Sequence, residues 1–115
     1  MAAETAIEDR NDVVVVGRLS AAPTLRELPS GDEVMSFRVV VRRPMDLKRR
    51  PGAATVDSLE CAVWRGDVRR VVRSWAVGDI VEITGAVRRR FWRRPGGAAS
   101  RWEIEVRRAR RLARA

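Results

Sequence analysis

The sequence predicts an all-β protein, a closed five-stranded barrel with one short α-helix between the third and fourth strands. Three observations carry the prediction. Apolar and polar residues alternate over several runs of strand length, one run breaks that period for the helical one, and Gly- or Pro-containing turns separate the runs. A chain of 115 residues, 45% hydrophobic and 34% charged, suffices for a single folded domain with a modest core.

Residues 1–10 read as an acidic leader, expected to be flexible, ahead of a domain over residues 11–112. "NDVVVVGRLS" is the first strand: four consecutive valines are β-branched and stiff, and Gly17 permits a bulge or a close backbone approach. "PTLRELPSGDEVMSFRVVVRR" is a hairpin with its turn at Pro29-Ser30-Gly31-Asp32, and Met35, Phe37, Val39 and Val41 alternate onto one face. "MDLKRRPGAA" is a basic loop. In "TVDSLECAVW", Leu59, Cys61 and Val63 share one face, and Ser58, Glu60, Ala62 and Trp64 share the other.

The period then changes. Val68, Val71, Val72 and Trp75 fall at i, i+3, i+4 and i+7, the stripe of a short amphipathic helix with Asp67 near its start and Gly78 after its end. Strand alternation returns in "DIVEITGAVRRRFW" and in "SRWEIEVRR". Strand, hairpin, strand, helix, strand, strand is the order of an oligonucleotide-binding (OB) barrel, whose helix plugs one end.

Enzymatic chemistry has no evident carrier. Histidine is absent and cysteine occurs once, at Cys61, so Cys/His zinc sites, catalytic triads and internal disulfides cannot be assembled. No Gly-rich phosphate loop occurs, and the carboxylate pairs Asp32/Glu33 and Asp79/Glu82 suit turn and strand-edge solvation. No metal, cofactor or catalytic residue is expected. No apolar run is long enough to span a bilayer and the N-terminus lacks a signal-peptide pattern, which predicts a cytoplasmic protein.

Charge placement says more than the net +9. Residues 85–115 carry 11 arginines against Glu103 and Glu105, whereas the preceding 84 residues balance. Such a block on a compact domain suits a polyanion, most simply nucleic-acid phosphate. Its centre is "VRRRFWRRPGG": on the fourth strand Val81, Ile83 and Val87 share the core parity, and Arg88, Arg90 and Trp92 share the opposite one. A tryptophan flanked on its own face by guanidinium groups forms a stacking platform with phosphate clamps beside it. Phe91, Arg93 and Arg94 lie in the same stretch, and Arg42 and Arg43 lead into the basic loop; all are candidate nucleic-acid contacts. Phe91 has the core parity but lies beyond the barrel, which leaves hairpin packing and nucleic-acid contact both open. Trp102 shares parity with Ile104 and Val106 and is expected to pack in the core or hairpin; Trp75, Phe37 and Cys61 are expected to be core.

The stretches "VVVVGRLSAAPTLRELPSGDEVMSFRVVV" and "DSLECAVWRGDVRRVVRSWAVGDIVEITGAV" resemble the bacterial single-stranded DNA-binding proteins over roughly residues 11–112. The resemblance lies in a valine-rich strand ending Gly-Arg-Leu, a Pro-x-Leu-Arg-x-x-Pro-Ser-Gly hairpin, a third strand ending in an aromatic, a short helix and a strand with an internal Gly. It implies binding of single-stranded DNA with little sequence preference, in replication, recombination or repair. It further implies a nucleoid-associated homotetramer, or a dimer through the first strand, where Val14 and Val16 lie opposite the core parity. By the same resemblance Trp92 and Trp64 stand where the family carries base-stacking aromatics.

Two features depart from the family pattern. Met45 and Ser58 stand where many members have stacking tryptophans, and "VRRARRLARA" is basic where members continue into a linker and acidic tip. Tip-mediated recruitment of repair enzymes is therefore not implied. Two other classes fit the residues: an RNA-binding OB protein, and a tailless primosome-type accessory or interaction module.

Overall fold

A computed structural model describes residues 6–44 and 51–115. Its elements are β1 (Val13–Glu27), β2 (Glu33–Arg42), β3 (Val56–Val63), α1 (Gly66–Val72), β4 (Ile80–Arg94) and β5 (Gly97–Ala113). The strands close in the order β1-β2-β3-β5-β4, an OB-fold barrel with its helix between β3 and β4. All pairings are antiparallel except a short parallel contact of Cys61 and Ala62 with Ile104 and Glu105, which joins β3 to β5.

Two glycines make the closure possible. A Cβ on Gly85 would sit 2.0 Å from the carbonyl oxygen of Glu105, and one on Gly17 would sit 2.5 Å from that of Val40. Gly85 lies at a β-bulge of β4 against β5 and Gly17 just ahead of one in β1 against β2, and any side chain at either would push the backbones apart. The β1–β2 turn spans Leu28–Asp32: Leu28 N–H donates to Asp32 O at 2.8 Å, and Gly31 takes φ +92°.

The core follows the alternation. Leu19, Phe37, Val39, Val63, Val81 and Ile83 are buried inside the barrel. Phe37 meets Trp75 edge-on, ring centroids 5.4 Å apart, so a residue of the turn that follows α1 plugs the barrel end. Val14 and Val16 point outward and are exposed, as their parity requires.

Parity misplaces three residues, each for a local reason. Val87 is 37% exposed while Ala86 is fully buried. Pairing of β1 with β4 stops at Gly85, so beyond it β4 pairs with β5 alone and its former core face overhangs no layer. The Asn11 side chain extends the β1 ladder by one step, donating to Val87 O at 2.8 Å and accepting from Val87 N–H at 3.0 Å. Ala62, expected outside, is buried because β5 pairs there. Val71, expected on the packed stripe, is exposed, because the seven-residue α1 is too short for a broad apolar face and buries only Val68 and Val72.

Asp79 is the one buried carboxylate at the α1–β4 junction. Ala76 and Ala115 donate backbone N–H groups to it at 2.9 Å each, and Arg111 lies 3.5 Å away. These donors hold its carboxyl below the usual carboxylate range. They tie the helix-to-strand turn to the end of β5.

Candidate nucleic-acid interface

Beyond Val87 and Ile104, where β5 parts from β3, the β4–β5 hairpin leaves the barrel as a two-stranded ribbon. Residues directly opposite in an antiparallel pair project to one face, so the pairs Arg88↔Glu103, Arg90↔Arg101 and Trp92↔Ala99 define the first face. On it Arg88 lies 3.4 Å from Glu105, Arg90 lies 3.5 Å from Glu103, and Arg101 lies 3.6 Å from the other oxygen of Glu103. Each of the two arginines on Glu103 also stacks on a tryptophan. The Arg90 guanidinium carbon is 5.1 Å from the Trp64 ring centroid, and that of Arg101 is 5.9 Å from the Trp92 centroid.

Trp64 reaches this face from the end of β3, and a separate arginine fixes it there. Arg69 of α1 donates to the carbonyl of Trp64 and, at 3.1 Å, to that of Glu33. The first face is therefore a row of two indoles and two guanidinium groups built from β3, β4 and β5. Glu103, only 4% exposed, sits beneath it. A buried carboxylate between two cations fixes their positions, and a guanidinium over an indole adds a cation–π contribution of about 0.5–1 kcal/mol at exposed sites.

The opposite face carries a second aromatic group. Arg89 lies 5.4 Å from the ring centroids of both Phe91 and Trp102 and donates from Nε and Nη2 to Ser100 Oγ at 3.2 and 2.9 Å. Phe91 is 70% exposed and Trp102 60%. Trp102 thus packs on the hairpin, not in the core, since the barrel ends before its position.

Of the residues singled out from sequence, the structure brings Trp64, Arg88, Arg90 and Trp92 onto one face; Arg94 has the same parity, while Phe91 and Arg93 lie on the reverse. Arg42 and Arg43 stand at the other end of β2. Arg43 donates to Asp57 at 2.7 and 3.1 Å, and that hydrogen bonding lowers the Asp57 carboxyl and raises the Arg43 guanidinium. Met45 lies outside the described residues. Sequence reasoning missed Glu103 and Arg101, because their part depends on β4–β5 register. Their signal was present: Glu103 is one of two acids in the arginine block.

Cys61 is buried, and burial together with Glu60 and Glu103 pushes its thiol up to about 12, so it is an inert core residue. Among the described residues no group of three or more His, Cys, Asp or Glu side chains is placed to hold a metal ion. No described helix is long and apolar enough to cross a membrane.

Comparison with known proteins agrees with this architecture. Residues 10–112 match the family model described as the Single-strand binding protein family. Single-stranded DNA-binding protein 3 of Listeria innocua is 36% identical over 80 residues, covering 70% of this chain and 49% of that protein. Single-stranded DNA-binding protein 1 of Lactococcus lactis is 31% identical over 87 residues, covering 76% and 57%. The chain thus spans about half the length of the curated relatives it matches. A solved structure titled as a Plasmodium falciparum SSB complex with ssDNA superposes with TM-score 0.73 at 17% identity, covering 95% of this chain and 98% of that one. With a barrel of this order, a hairpin of this composition and a match across residues 10–112, the chain belongs to the single-strand binding protein family.

Proposed function

We propose that this protein binds single-stranded DNA largely without sequence preference, by stacking bases on Trp64 and Trp92 while arginines of the hairpin meet phosphates, and that it protects the strand in replication, recombination or repair. One observation carries the reading: the two indoles lie on one face, each beside a guanidinium group held by the same buried carboxylate. Every base has a π-face, so such a platform accepts any sequence, and arginine adds salt-sensitive attraction to phosphate. Arg88 and Arg94 extend the same face, Phe91 and Arg93 stand behind it, and Arg42 and Arg43 are proposed as outlying phosphate contacts. The curated relatives are named for binding single-stranded DNA, and the reading agrees with their name. No catalysis is proposed.

The barrel is proposed to work as a homo-oligomer through the exposed outer side of β1, where Val14 and Val16 would leave water. A titration of single-stranded DNA, duplex DNA and structured RNA at one salt concentration tests the binding reading. Preference for the unpaired DNA is expected; equal or tighter binding of structured RNA would transfer the protein to the RNA class.

A further inference from the structure

The barrel leaves one strand edge open. β5 has two neighbours, and β3 meets it only through Cys61 and Ala62, at Ile104 and Glu105, before ending at Val63. β4 covers the other side of β5 as far as Ala113. In an antiparallel pair alternate residues turn their N–H and C=O groups toward the partner, and the residues between turn theirs away. Past Val106 that outward set has no strand to meet, and among the described residues no main-chain hydrogen bond joins it to another element. Arg111 Nη1 donates to Ser74 O at 3.5 Å and ties β5 to the turn after α1, which leaves residues 107–110 as the open stretch.

Beside this stretch lies a cleft of about 620 Å³, walled by Arg65, Val68 and Val71 on the α1 side and by Arg107, Arg108 and Ala109 on the β5 side. A bulge shapes it. The β4–β5 register passes from Gly85↔Val106 to Thr84↔Arg108, so Arg107 is the extra residue. In a regular strand consecutive side chains point to opposite faces, and one of the two arginines would turn inward; the bulge leaves both exposed on the cleft. Val71, which helical spacing would bury, is 46% exposed there. Asp67 is the one acid lining the cleft, and it is already engaged, by Arg65 at 2.8 Å and by Val68 N–H at 2.9 Å. Arg107 lies 3.4 Å from Asp12, and no carboxylate among the described residues pairs with Arg108.

Unmet backbone groups, an aliphatic floor and surplus cations are together the complement of an extended acidic peptide. A strand laid along the edge supplies the missing ladder, its alternate side chains reach Val71 and Ala109, and those between carry carboxylates to the arginines. A polynucleotide matches the cleft less well, because no aromatic ring lines it and a phosphate chain has no amide ladder to offer. A second copy matches it less well too, since arginines on an open edge repel a chain of net charge +9 and guard against self-pairing. We propose that the β5 edge at residues 107–110, with Val71 of α1, docks an extended acidic segment of a partner protein by strand addition. This surface is separate from the hairpin path proposed for single strands and does not depend on it.

The probe is a dye-labelled synthetic peptide of about eight residues, within the usual length of a strand, alternating Glu with Val. Its binding to the full chain is followed by anisotropy. Two further peptides of the same sequence are N-methylated at alternate residues, each along one edge, which removes the donors of that edge and keeps every charge. Wild type is expected to bind the unmodified peptide and to bind one of the methylated pair at least about tenfold more weakly, the effect of one to two lost hydrogen bonds. Arg108→Gln and, separately, Val71→Asp are expected to weaken the unmodified peptide about tenfold, the size of one charged contact, with melting curves and oligo(dT) affinity unchanged. Absence of peptide binding by wild type, or unchanged binding in both variants, would overturn the site. Equal binding of all three peptides would overturn strand addition. Displacement of the peptide by oligo(dT), with oligo(dT) affinity falling in the same two variants, would overturn the peptide assignment and give this edge to nucleic acid.

Discussion

At the scale of single residues, the candidate site depends on where two guanidinium groups are held. Trp92→Ala is expected to weaken single-strand binding by about 1–3 kcal/mol while leaving the fold intact, because its ring is exposed on the ribbon and contributes little to the core. A fluorescence or anisotropy titration of the folded variant checks this. Glu103 gives a test in which two accounts differ in sign. Glu103→Gln removes a negative charge from the face, so a purely electrostatic account expects tighter binding. If the carboxylate instead positions Arg90 and Arg101 over their indoles, binding weakens, by about 1 kcal/mol if the ordering of one to two cation–π contacts is lost. Sequence parity put Arg88, Arg90 and Trp92 on one face. It did not show that Arg90 would lie over Trp64 and leave Trp92 to Arg101, because those partners are set by strand register and by an aromatic from β3.

At the scale of elements, the strands and helix were legible because each buries one face against the same core, so period alone reports them. What period cannot report is where a strand leaves the barrel. Val87 has the parity of Ile83 yet is exposed, since β1 no longer lies beside it. Trp75 was expected in the core from its i+7 spacing; α1 ends at Val72, and Trp75 fills the barrel end against Phe37 from the turn that follows. Trp75→Ala is therefore expected to cost about 3–5 kcal/mol of unfolding free energy in a urea melt, the range for emptying a large aromatic core site. The α1–β4 junction predicts a pH dependence. The carboxyl of Asp79 is held low in the folded state, so its stabilising contribution is present above the unfolded carboxylate value of about 3.9 and is lost as pH falls through the lower folded value. The stability gap between wild type and Asp79→Asn should thus persist from neutral pH down to about pH 4 and close only below it, as read from urea midpoints.

At the scale of the whole molecule, the arginine block seen in the sequence divides into two parts. Near the end of β5, Arg110 lies 2.7 Å from Glu82 and Arg111 lies 3.5 Å from Asp79, so these arginines bind the chain to itself. At the hairpin tip no carboxylate among the described residues pairs with Arg93 or Arg94. Net charge, which was readable from composition, treats the four alike; the fold separates them. The central claim, that single strands follow the hairpin and not a diffuse cationic surface, is tested most directly by salt back-titration of poly(dT) complexes followed through tryptophan fluorescence. Log affinity should fall against log salt, and Arg93→Gln with Arg94→Gln should flatten the slope by about 1.4, at about 0.7 per phosphate contact on a single strand. Arg110→Gln with Arg111→Gln, the same change in formal charge, should lower stability and leave the slope nearly unchanged. Equal flattening by both pairs, or none from the hairpin pair, would contradict the account.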